Sequence, residues 1–186
     1  MSFSQVNFKG IPVDGDASEM INQLKKKGFT DAPAQYGKST LVGHFFDRDV
    51  VLTIKVNNKN VVQSVMVVFM SYINDFEGMS RSSVIRLYND LLYSFNNNEK
   101  YIGIAWMLTT GSSSEFYNNE IESNANLWYN INTEGIKYHS YYRQLPFKNS
   151  NSVHFAITID ENNYDKYYVV LLYENLDNKT FGSDDL

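Results

Sequence analysis

The chain has 186 residues, 43% hydrophobic, 15% aromatic and 20% charged, with a net charge of −5 at neutral pH. That is enough apolar material for one sizeable core, and the acidic balance, with no basic cluster beyond Lys25-Lys26-Lys27, excludes a phosphate-tracking nucleic-acid surface. No apolar run approaches the roughly 18 residues of a membrane span, and the absence of cysteine excludes a disulfide scaffold, thiolate metal sites and Cys nucleophiles.

The first elements follow from local chemistry. FKGIPVDG predicts an extended piece, because Pro12 disfavours helix at Ile11, and an Asp14-Gly15 turn closes it. Asp16, with Glu19 three positions on, is a capping-box start for a helix over 17–27, with Met20, Ile21 and Leu24 on one face. Gly28 takes the left-handed position after its last turn. Strands are predicted over 40–46, 50–56 and 61–70, joined by Asp47-Arg48-Asp49 and by the Asn57-to-Asn60 hairpin connection. The third strand becomes apolar on both faces after Ser64, as a central strand does.

The longest clean helical periodicity runs over 80–97, where Val84, Leu87, Tyr88, Leu91 and Phe95 form one stripe. Burying such a stripe is worth roughly 1.5–3 kcal/mol per large side chain before ordering entropy is subtracted. A sheet is therefore expected to cover it. Beyond it come a connector over 101–108, a short helix over 115–122, and strands over 125–132, 136–142, 153–159 and 167–173, with a frayed tail from 175.

Helix, three strands, helix, four strands is not the alternation of a doubly wound parallel sheet. The expected fold is α+β: antiparallel sheet with the helices on one face, built as two pseudo-repeated halves, 1–78 and 79–186, within one compact unit. Since 1–15 lacks the charged-then-apolar plan of a leader, the chain as it stands is expected to be soluble and cytoplasmic, or periplasmic where a leader has been removed.

Phe8, Gly10, Ile11, Pro12, Asp14 and Gly15, with the closing Tyr173 and Asn178, resemble a family of uncharacterised bacterial proteins that opens F-x-G-I-P-x-D-G and closes on an alternating strand ending Y-x-D-x-x-N. Here Glu174 to Asp177 departs from the family's closing spacing. That resemblance implies no activity. In element order and size the chain also resembles the beta-lactamase inhibitor protein fold, whose members bind partners on an aromatic-rich concave sheet, a likeness of architecture alone.

Catalytic sets are scarce. His44, His139 and His154 all fall in predicted strands at spacings that make no zinc motif. Gly111 to Ser114 is neither a nucleophile elbow nor a phosphate loop, and Asp160, Asn162 and Asp165 miss the spacing of a calcium loop. No cofactor or metal is expected, and the leading expectation is not an enzyme.

One pattern stands out. Strand alternation puts Trp128, His139, Tyr141, His154 and Tyr168 on one face, with Ile136, Tyr138, Phe155 and Ile157 on the other. Trp and Tyr amid polar residues suit a protein-binding surface. The expected function is thus a non-enzymatic protein that binds another protein through this open face, or one that self-associates through it, without nucleic acid or membrane. The alternative is a small-ligand protein or enzyme of cystatin-like architecture, with a pocket between helix and sheet and Asp47, His44 or Tyr88 as polar handles.

Overall fold

The computed structural model describes residues 6–34, 39–71, 78–103, 136–144, 151–159 and 166–178, the middle two strands of its second half by backbone alone. Among them the fold is α+β, with two α-helices, a two-stranded antiparallel sheet and an eight-stranded antiparallel sheet. The predicted connector beyond Gly103, the short helix over 115–122 and the strand over 125–132 lie outside the described residues.

The opening motif does more than extend. β1 (Asn7–Phe8) and β2 (Ile11–Pro12) fold into a small hairpin, with Phe8 opposite Ile11 and a turn through Lys9 and Gly10, at φ of 49° and 78°. Glycine takes that backbone freely, whereas lysine pays for it in strain. α1 (Ala17–Lys26) then starts as expected: the Asp16 carboxylate accepts from the Ser18 and Glu19 N–H groups at 2.8 and 3.1 Å. Gly28, at φ 94°, ends it, and the Phe29 N–H returns to the Leu24 carbonyl at 3.2 Å.

β3 (Thr30–Asp31) edges the large sheet, followed by β4 (Thr40–Phe45), β5 (Arg48–Val56) and β6 (Val62–Phe69). The turn between β4 and β5 is tighter than Asp47-Arg48-Asp49 suggests. Phe45 pairs with Arg48, leaving only Phe46 and Asp47 between the strands, both at positive φ (55° and 54°). After α2 (Arg81–Asn96) come β7 (Tyr101–Gly103), β8 (Ile136–Gln144), β9 (Asn151–Ile159) and β10 (Tyr167–Asn175).

The sheet order is β3-β4-β5-β6-β10-β9-β8-β7, antiparallel throughout. Both halves of the chain therefore share one sheet, meeting where β6 pairs with β10. The central place predicted for β6 is its actual place.

One side of this sheet is the core. Leu41, Leu52, Val67 and Leu171 form a cross-strand row, all fully buried, and the register extends it to Phe155. Met20 and Leu24 of α1 and Val84, Leu87, Tyr88 and Leu91 of α2 belong to the same buried cluster, so both helices lie on that side. The stripe read from the sequence is the stripe that packs.

The β1–β2 hairpin is part of this layer. The Phe8 ring stands edge-on to Tyr173 at 5.1 Å and tilted against Phe45 at 5.1 Å. Close packing here fixes residue identity in β4: a Cβ on Gly43 would sit 2.5 Å from Phe29 Cδ1.

Residues 175–178 depart from the frayed tail expected from residue 175, whose remainder lies outside the described residues. Asn175 is 3% exposed and donates to the Val13 carbonyl at 3.0 Å, and a 3-10 turn over Leu176–Asn178 follows. Buried amides with good partners hold this segment down.

A candidate interaction face

Opposed residues of an antiparallel sheet share a face, so register alone assigns the side away from the helices. One cross-strand row there runs Val42, Val51, Val68, Val170, Ala156 and His139. The next runs Thr40, Thr53, Met66, Leu172, His154 and Tyr141. Outside them lie a polar row with Lys55, Ser64, Glu174 and Ser152, and at the other end the pairs His44–Asp49 and Tyr168–Thr158.

The face thus carries a belt, one row of four valines with Met66 and Leu172 beside its centre and polar residues on either side. Val42, Met66, Val68, Val170 and Leu172 are all half-buried, although strands flank each of them. Val51 is more enclosed, at 6% exposure. Core-facing neighbours on the same strands, such as Val65, Val67 and Val169, are fully buried. The contrast along each strand separates a filled side from one that is partly open, where Thr40 and Ser64, like Val51, are also buried.

Four of the five residues singled out by sequence alternation are brought onto this face. Tyr141 and His154 are register partners, His139 ends the valine row, and Tyr168, half-buried, pairs with Thr158 one row further on. Trp128 lies outside the described residues. Ile136 does not keep the side expected of it: a register shift between Ile136 and Tyr138 breaks the alternation, and Ile136 pairs with Thr158. The belt itself was hidden in the sequence, because an unbroken run such as VVQSVMVVFM reads equally well as a strand enclosed on both faces.

Of the three residues considered as polar handles for an inner pocket, His44 and Asp47 face outward and Tyr88 points into the core. The His44 imidazole is 78% exposed and meets Asp49 at 2.8 Å, Nδ1 to Oδ1. Asp47 is exposed at the β4–β5 turn. Tyr88 is fully buried, in a layer also filled by Phe8, Phe29 and Phe69. Tyr173, also buried, sits against Tyr101. Its hydroxyl is held well above the ordinary tyrosine value, by burial first and then by the charge and hydrogen bond of Tyr101.

A half-open hollow of about 230 Å³ lies between the β1–β2 hairpin and α1, floored by Ile11, Pro12 and Met20 and rimmed by Asp14, Asp16 and Glu19. All three carboxylates are engaged: Asp16 caps α1, Asp14 accepts from Gly15 N–H and from Asn178, and Glu19 accepts from Gln23 Nε2 at 3.4 Å. Among the described residues no group of three or more His, Asp or Glu side chains could hold a metal ion. Nor, among them, is any helix long and apolar enough to cross a membrane.

No family model, curated protein or solved structure matches the chain.

Proposed function

We propose that the protein is a non-enzymatic binding protein that engages another protein through the sheet face opposite its helices. The observation that supports this reading is the belt: a row of four valines on four adjacent strands, three of them half-open to solvent with Met66 and Leu172 beside them, and polar residues on both sides. Protein interfaces combine an apolar centre with a polar rim, and aromatic residues such as Tyr141 and Tyr168 at its margin are the residue types that anchor partners. An apolar patch rimmed in this way is also the kind of surface that monomeric proteins tend not to leave idle.

The test is capture of proteins from a lysate of the source organism on the immobilised chain, set against a Tyr168→Ala/Leu172→Asp variant whose far-ultraviolet spectrum matches the parent. A protein held by the parent and lost by the variant supports the reading. Equal capture by both overturns it. Sedimentation of the parent alone separates self-association, which would place a second copy on the belt.

We further infer that the two halves, 1–78 and 79–186, are variations on one plan. Each supplies a helix followed by an antiparallel three-strand set, β4-β5-β6 and β8-β9-β10, and the last strands of the two sets pair antiparallel at the centre. The two segments that carry the resemblance to the F-x-G-I-P-x-D-G family meet in the fold, since Phe8 packs on Tyr173 and Asn178 bonds to Asp14.

A further inference from the structure

We draw no further inference here: the strongest candidate, the half-open hollow between the β1–β2 hairpin and α1, is rimmed by Asp14, Asp16 and Glu19 with no buried unpartnered polar group aimed into it to say what would fill it.

Discussion

Asn178 donates through Nδ2 to the Asp14 carboxylate and to the Val62 carbonyl, each at 2.8 Å, tying the turn after the last strand to the turn that precedes α1. The Asn178 carbonyl in turn accepts from Asn57 Nδ2 at 2.9 Å. A single asparagine thus joins the opening motif, the β5–β6 connection and the close of β10. Replacing it with alanine leaves the Val62 carbonyl without that donor and should cost about 1–3 kcal/mol. The urea midpoint should fall accordingly. In a double-mutant cycle Asp14→Ala should cost less in the Asn178→Ala background than alone, because the shared bond is already gone. Strict additivity would sink the coupling.

Gly43 is required by space. With Phe29 Cδ1 2.5 Å from where a Cβ would lie, Gly43→Ala should destabilise by about 1–3 kcal/mol through overpacking. Pairing it with Phe29→Leu should recover part of that loss. If Gly43→Ala alone leaves the unfolding midpoint unchanged, the ring moves more freely than its burial suggests.

The β4–β5 turn stores strain in the opposite sense. Phe46 and Asp47 both hold positive φ, and Phe46 remains 39% exposed. Asn-Gly is the pair suited to such a turn. The Phe46→Asn/Asp47→Gly variant should therefore gain on the order of 1 kcal/mol, as a left-handed bulky residue costs about that much. Thermal unfolding reads the gain directly, and a lower midpoint would show that the Phe46 ring contributes more by packing than its backbone costs.

Alkaline pH should expose the Tyr173 site. Its raised value arises from burial and from Tyr101, whereas in the unfolded chain it ionises near the ordinary tyrosine value of about 10. The stabilising difference is fully present below about pH 10 and is lost as pH climbs through the folded value. Stability measured by urea titration should be flat with respect to this group up to about pH 9 and decline above it. The decline should be shallower in Tyr173→Phe. An identical slope in both proteins would assign alkaline unfolding to other groups.

Both helices were legible because each announces itself locally: Asp16 and Gly28 bracket α1, and the stripe from Val84 to Phe95 marks α2. The positions of β4 to β6 and β8 to β10 were legible from alternation for the same reason, whereas β3 and β7, two and three residues long, are too short to show one. Pairing was not legible. Nothing within β6 or β10 says that Val67 will lie opposite Leu171, since partners about a hundred positions apart share no local signal. The hairpin at Lys9 was missed because lysine seldom takes a left-handed backbone, and the anchoring of Asn175 to Asn178 because a polar segment looks solvated until its acceptors are known. At the candidate face, the positions of His139, Tyr141, His154 and Tyr168 followed from the period of two. The valine belt did not, since β-branched residues serve a buried face and an interface alike.

The junction of β6 with β10 also sets when the protein can finish folding. During synthesis β4, β5 and β6 emerge early and can form a meander, but its inner strand then waits with a bare hydrogen-bonding edge until residues 167–175 have left the ribosome. Roughly a hundred residues of chain must pass in that interval, which at about 5–20 residues per second is on the order of ten seconds. A nascent chain halted before β10 is therefore an exposed sheet edge of mostly apolar residues, and a substrate for chaperones rather than a half-finished domain.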